Sequence, residues 1–312
     1  MKGILLMAYG TPENEDEVEA YFTDIRGGRT PTQEEVENLK KRYKLIGGKT
    51  PLLKITLSTA RRLEDSIQAS GQVAKVFAGM KHWHPYIREV FPEIASSGVD
   101  ELLAIALAPH YSKMSVGSYQ AAVLEAQKET SANLHLRFVD SWHLNHVFIQ
   151  KWVERIKDAK VKKFKQGEKG VYHLFSAHSL PERILSWNDP YRNQLTATME
   201  EIARRSGISQ GEYGFAFQSA GHSGEPWLGP DILDHIASLK GSKSKNILVI
   251  PIGFVSDHLE ILYDLDIEAK KAAKSVGMRL ERTDSFNDSS DFIDILRSVI
   301  AESGFLEPSK NH

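Results

Sequence analysis

The chain has 312 residues, 41% hydrophobic and 26% charged, which is enough apolar mass for a full core and excludes disordered and fibrous architectures. Its 39 Lys and Arg nearly balance 41 Asp and Glu, a formal net charge of -2, so no overall field favours a nucleic acid or a membrane surface as partner. With no cysteine, disulfides, a catalytic thiol, a Cys-type zinc site and a cysteine-bound iron–sulfur cluster are excluded, and any metal must sit on nitrogen or oxygen ligands.

Apolar runs of strand length occupy residues 3–9, 73–78, 102–108 and 134–139, then 170–175, 214–218, 247–252 and 278–281. They are continuous rather than alternating, as in parallel strands buried on both faces, and amphipathic helical stretches separate them. The first helix is expected to open with Thr11 as N-cap and Pro12 at its first position, and to bury Val18, Tyr21, Phe22 and Ile25. The last is expected over 291–303, with Phe292, Ile295, Leu296, Val299 and Ile300 on one face and Gly304 as its stop. Between the two sets of strands lies AKVKKFKQGEKG (159–170), lysine-rich and without periodicity, which reads as a solvated linker. It divides the chain into an α/β domain over 1–159 and a second over 160–289, followed by a terminal helical region at 290–312. The runs 102–109 and 247–255 are too short to span a bilayer, and the opening MKGILLMAYGTP is too short for a secretory signal, so a soluble cytoplasmic protein is expected.

The segments LAIALAPHYSKMSVGSY and NILVIPIGFVSDHLEILY both run from an apolar strand through Pro to an aromatic turn and a helix. They suggest two α/β units facing across a cleft, with chemistry at the carboxyl ends of the strands. Nucleotide-binding motifs are absent there. No G-x-G-x-x-G follows a strand, and Gly47-Gly48-Lys49-Thr50 lacks the leading Gly of a phosphate loop because that position is Tyr43. No G-x-S-x-G elbow appears either.

What the strand ends do carry is aromatic, imidazole and acidic. The first ends in Tyr9-Gly10-Thr11-Pro12, the second leads into Lys81-His82-Trp83-His84-Pro85, and the third ends in Pro109-His110-Tyr111. The fifth runs into His178-Ser179-Leu180-Pro181, so His178 should emerge at the cleft edge, where it either takes a proton or a metal or caps the following turn. After the seventh, Glu260, Asp264 and Glu268 at i, i+4 and i+8 place three carboxylates along one helix face over about 12 Å. Such a row passes protons or a hard divalent cation, or is simply a wet face, and Asp257 with Glu260 fits a capping box. His82, Asp264 and Glu268 are a candidate set for a second divalent ion. Residues 26–54 hold Arg26, Arg29, Lys40, Lys41, Arg42, Lys44, Lys49 and Lys54 against Glu34, Glu35 and Glu37, a basic surplus suited to carboxylates on a flat ligand or to a solvated face. The loop 217–230 is rich in Gly, Pro and aromatics, and Trp227 in it reads as a packing anchor.

These blocks, in order, resemble the ferrochelatases: MAYGTP, LAPHYS, SAHSLP, FQS with PWLGP, and GFVSDHLEILYD. The resemblance implies two Rossmann-like domains, each a four-stranded parallel sheet flanked by helices, with the cleft between them and the C-terminal helix packed back on the first domain. It implies insertion of ferrous iron into a porphyrin, with His178 and Glu260 as catalytic and metal-contacting groups and Asp264 and Glu268 as the route behind them. Among ferrochelatases the chain is similar to the Gram-positive branch that metallates coproporphyrin III, in which the tyrosine of AYGTP, here Tyr9, is the axial ligand of product iron. By the same resemblance Tyr9, Arg26, Arg42, Tyr43, Thr50 and Tyr119 bind the porphyrin. The chain departs from the pattern at Gly27, where a second basic residue is expected, and at Thr50, where serine is common. No tightly bound cofactor, no stable membrane insertion and a monomer are expected. The alternatives are a protoporphyrin IX ferrochelatase, a sirohydrochlorin-type chelatase and a non-catalytic haem or porphyrin carrier.

Overall fold

The computed structural model describes residues 1–164, 170–221 and 224–306. Strands β1 (Lys2–Ala8), β2 (Ala74–Met80), β3 (Glu101–Ala106) and β4 (His135–Val139) form one parallel sheet in the order β2-β1-β3-β4. Strands β5 (Val171–His178), β6 (Tyr213–Gln218), β7 (Asn246–Ile250) and β8 (Arg279–Arg282) form a second, in the order β6-β5-β7-β8. The two orders are the same, and β3 and β7, the strands of the two similar segments, hold equivalent places. In each sheet the order reverses beside the first strand, so the crevices where ligands enter such sheets open at the carboxyl ends of β1 and β3 and of β5 and β7.

The helices are α1 (Val18–Ile25), α2 (Gln33–Leu45), α3 (Leu52–Ala69), α4 (Ile87–Ser96), α5 (Val116–Thr130), α6 (His146–Lys163), α7 (Tyr191–Arg205), α8 (Ile232–Ser238), α9 (Lys270–Ser275) and α10 (Ser290–Glu302). A π-helix, Glu260–Ala269, runs into α9. No helix among the described residues is long and apolar enough to cross a membrane.

Strand alternation feeds different packing layers, because successive side chains leave opposite faces. Ile4 and Leu6 of β1 join a cluster that continues through Trp152 and Phe292 to Phe175 on β5 and Leu248 on β7, linking the two sheets through α6 and α10. Leu5 and Met7 point the other way, onto Phe91 and Val123, while Ile247 and Val249 of β7 pack on Ile261 and Leu265 of the π-helix. Helix α10 packs against α3 and α6.

Three expectations change. Thr11 caps nothing; Asn14 does, accepting from the N–H groups of Asp16 and Glu17 at 3.0 and 3.2 Å, and the helix proper begins at Val18. Residues 159–163 of the proposed linker belong to α6, because Trp152, Ile156 and Ala159 extend its buried stripe, and Phe164 after it is buried too. The rest of that stretch, 165–169, lies outside the described residues, as do 307–312 of the terminal region. The acidic helix after β7 is a π-helix, whose wider i→i+5 turn breaks a straight carboxylate row: Asp264 is buried and Glu268 is not.

Phe292 is fully buried against Trp142 and Phe286 where α10 meets the joint cluster. Phe292→Ala is expected to lower the unfolding free energy by about 3–5 kcal/mol in urea titrations; a loss below about 1 kcal/mol would mean that α10 does not seal the core.

Candidate active site

The crevices of the two sheets face one another and enclose a cleft of about 450 Å³. Tyr9 and His110, which follow β1 and β3, line it from one side, and His178, Phe254, His258 and Glu260, at the ends of β5 and β7, line it from the other. Lys81, Tyr119 and Trp227 complete the part that the chemistry uses. Of the residues expected at the site, Tyr9, Tyr119, His178 and Glu260 are therefore brought together.

His178 is the last residue of β5, and its Nδ1 donates to the carbonyl of Ser179, which leaves Nε2 as the bare, accepting nitrogen. Its backbone carbonyl is held by the Tyr191 hydroxyl at 2.9 Å. The strand can carry the imidazole here because Gly253 lies against it: a Cβ on Gly253 would come within 2.6 Å of the Ala177 Cβ. At the opposite strand end Gly10, at φ +103, turns the chain so tightly under Trp83 that a Cβ would lie 2.8 Å from the Trp83 nitrogen. That turn points Tyr9 into the cleft and Thr11 into the interior, where its hydroxyl joins those of Thr50 at 3.0 Å and Tyr43 at 3.3 Å. Tyr43 and Thr50 are thus buried in a hydroxyl cluster outside the cleft lining.

Glu260 does not close a capping box with Asp257. It pairs with His258, whose Nε2 lies 2.9 Å from Glu260 Oε2 while its Nδ1 donates to the Ser256 carbonyl at 2.8 Å. Residues two apart do not face each other within a helix, but His258 precedes the π-helix and its ring folds back. Burial opposes ionisation of Glu260, and the His258 imidazolium with its hydrogen bond outweighs it, so the carboxylate stays charged. Burial likewise works against the charge on His258, and Glu260 overcomes it, raising the imidazole pKa. Gln218 ties the pair to the sheet, donating to the Glu260 carbonyl at 2.8 Å while accepting from Ser176 at 2.9 Å.

The Tyr9 ring lies 4.6 Å from that of His82, tilted by 52°, and His82 Nδ1 is 2.7 Å from Asp24. Desolvation by the cleft walls and then the Glu260 and Asp24 carboxylates keep the Tyr9 phenol protonated. Lys81, which the sequence did not single out, donates to Ser118 Oγ at 2.6 Å and lies 5.6 Å over the ring of Tyr119. Burial lowers its pKa, and among the described residues no carboxylate is within ion-pair distance of its ammonium. Trp227, expected as an anchor, is also cleft wall, 6.5 Å from the His178 ring.

The remaining expected residues lie outside the lining. Arg26 pairs with Glu35 at 2.6 Å beside the Phe22 ring. Arg42 reaches from α2 to the π-helix, 5.0 Å over Tyr263 and 3.9 Å from Asp264 Oδ1. Among the described residues no three His, Asp or Glu side chains converge closely enough to hold a metal ion, so His82, Asp264 and Glu268 do not form the second ion site expected of them; His82 is taken by Asp24. Asp264 accepts from Ser219 through Oδ2, but its buried Oδ1 has no hydrogen-bond donor. Burial therefore raises its carboxyl from 3.8 to about 7, against the Ser219 bond and the distant Arg42.

A carboxyl with a raised folded pKa favours the folded state most below its unfolded pKa and loses that contribution as pH rises to the folded value. Between pH 4 and 7 the unfolding free energy should accordingly drop by on the order of 2–4 kcal/mol through Asp264, a drop that Asp264→Asn removes. Urea titrations across this range check it, and an identical pH slope in the variant would contradict it.

A family model for Ferrochelatase matches residues 1–304. The chain is 44% identical over 298 residues to a protein of Herpetosiphon aurantiacus named Ferrochelatase, covering 95% of this chain and 97% of that one. It is 41% identical over 303 residues to a Coproporphyrin III ferrochelatase of a Geobacillus species, covering 96% of each. Among solved structures, SirB from Bacillus subtilis with Fe3+ superposes with a TM-score of 0.57 at 11% identity, covering 99% of both chains, and CbiX, the terminal enzyme of sirohaem biosynthesis in denitrifying bacteria, with 0.53 at 11%, covering 98% and 100%. At that identity they share the fold alone, a class II chelatase architecture of two four-stranded parallel sheets. With an imidazole, a held carboxylate and an aromatic wall at the ends of those sheets, the chain belongs to the ferrochelatase family, the lyases that insert ferrous iron into a porphyrin.

Proposed function

We propose that this ferrochelatase acts on coproporphyrin III, giving the corresponding iron porphyrin. The observation that carries this reading is Lys81: a half-buried ammonium lining the cleft, with a hydroxyl and a ring as its partners, is suited to a carboxylate brought by the ligand. Coproporphyrin presents four propionates, protoporphyrin two, so a cation within the cleft adds to what Arg26 and Arg42 offer outside its lining. Arg26 exchanges Glu35 for a propionate, and Arg42, 3.9 Å from Asp264, is only loosely engaged. The name of the Geobacillus relative agrees.

Metallation removes two pyrrole protons and strips water from iron. Nε2 of His178, freed by the Ser179 bond, accepts a proton or meets the ion first, and Glu260, held charged by His258, draws the cation in. The aromatic walls Tyr119, Trp227 and Phe254 clamp the macrocycle and exclude water. Tyr9, whose phenol lines the cleft, would hold the iron of the product through its oxygen, giving up its proton. Asp264 and Glu268 on the π-helix supply the polar path behind Glu260.

Anaerobic iron insertion into coproporphyrin III and protoporphyrin IX, measured in parallel, tests substrate and residues together. Faster metallation of coproporphyrin is expected, with Lys81→Ala raising its KM more than that of protoporphyrin, and His178→Ala lowering kcat by about 10²–10⁴-fold. Equal or better use of protoporphyrin overturns the substrate reading, and unimpaired insertion by His178→Ala overturns the site.

A further inference from the structure

Behind the cleft, β8 contributes a side chain that the chemistry described so far does not use. Arg282 is 12% exposed; its Nε lies 3.1 Å from both Asp266 oxygens, and its Nη2 lies 3.0 Å from Asp266 Oδ2 and 3.1 Å from Asp257 Oδ1. The two acids flank Glu260 in the chain. Asp257 immediately precedes His258, and Asp266 lies within the π-helix that Glu260 opens. Asp257 is gripped from the same side by Ser285 Oγ at 2.7 Å and Asn287 Nδ2 at 3.0 Å, and its N–H donates to Asn287 Oδ1 at 2.8 Å. The Asn287 N–H in turn holds the Val255 carbonyl at 2.8 Å. Neither Arg282 nor either of its carboxylates lines the cleft, whereas Val255, Ser256, His258 and Glu260 all do.

We propose that Arg282 is a positioning residue for metal insertion: one guanidinium, bound to carboxylates on both sides of Glu260, fixes where the His258–Glu260 pair stands in the cleft. This rests on the reading of Glu260 as a group that meets the ion. A planar fork suits the task, since it holds two carboxylates in fixed relative orientation, which an ammonium does not. The need is geometric. His258 precedes a π-helix whose wide turn does not by itself set the ring's direction, and a displacement of about 1 Å in a catalytic group is enough to cost on the order of 100-fold in rate.

The test compares Arg282→Met, Arg282→Lys and Asp266→Asn with the parent chain, using ferrous iron insertion into coproporphyrin III, thermal unfolding and amide hydrogen exchange. In Arg282→Met, kcat should fall on the order of tenfold or more with the porphyrin KM unchanged, and exchange should quicken over residues 257–266 and not elsewhere. Arg282→Lys, which keeps the charge and loses the fork, should recover only part of the rate. A merely structural role predicts instead that kcat and KM change together in step with Tm, and that result, or a folded Arg282→Met with parental kcat, overturns the proposal. If Arg282→Met does not fold, Asp266→Asn decides by the same split of kcat from KM. Glu260→Gln is measured alongside: full activity there overturns the site reading and this role with it, whereas an inactive Glu260→Gln beside an unaffected Arg282→Met overturns the clamp alone.

Discussion

A single ion pair sets the character of the cleft: His258 Nε2 against Glu260 Oε2 at 2.9 Å, at the entrance to a π-helix. A carboxylate among aromatic rings loses its hydration and tends to take up a proton, which would leave nothing to attract a dication. The imidazolium beside it reverses that tendency. What His258 needs in order to do so is orientation, and the Ser256 carbonyl on its Nδ1 supplies it. His178 is handled by the same device with the opposite purpose, its Nδ1 fixed on Ser179 so that Nε2 is free. The two imidazoles thus divide the work: one stabilises a charge and the other offers a lone pair.

The fold makes this pairing available because two sheets of the same strand order present their switch points to each other. His178 and Glu260 follow adjacent strands of one sheet, and Tyr9 and Lys81 follow adjacent strands of the other. Close backbone approach at Gly253 and the tight turn at Gly10 set the strand ends at the spacing these side chains need. Around them the core is shared: the cluster that runs from Ile4 to Leu248 through α6 and α10 joins the sheets, so the cleft walls stand on a common apolar base.

All eight strands were legible in the sequence: the central ones are written as continuous apolar runs because both faces are buried, and the edge strands β4 and β8, only partly buried, as weaker ones. His178 was marked by its place at the end of the fifth run, and Glu260 by the i, i+4, i+8 spacing of the carboxylates at 260, 264 and 268. What escaped was tertiary. Thr11 has the chemistry of a cap, but the turn at Gly10 carries its hydroxyl into a cluster with Thr50 and Tyr43. Residues 159–163 carry lysines on a helix whose buried stripe ends only at Ala159. The segment 260–269 has a pattern that an α-helix satisfies equally well, and the i→i+5 ladder leaves no local mark. His258 stands two residues from Glu260, a spacing that helical periodicity discards, and Lys81 stands out only once it is visible that, among the described residues, no carboxylate lies within ion-pair distance of it. A lone basic residue between an apolar strand and an aromatic-rich turn was the available signal for Lys81, and the D-H-x-E spacing the one for His258.

The most direct measurement is a crystal structure of the chain with metal-free coproporphyrin III. The account predicts the macrocycle between Tyr9 and Trp227, a pyrrole nitrogen about 2.6–3.2 Å from His178 Nε2, a propionate on Lys81, and His258 still paired with Glu260. A porphyrin seated elsewhere, or one lying in this cleft with Nδ1 of His178 turned toward it and Glu260 released from His258, would contradict it.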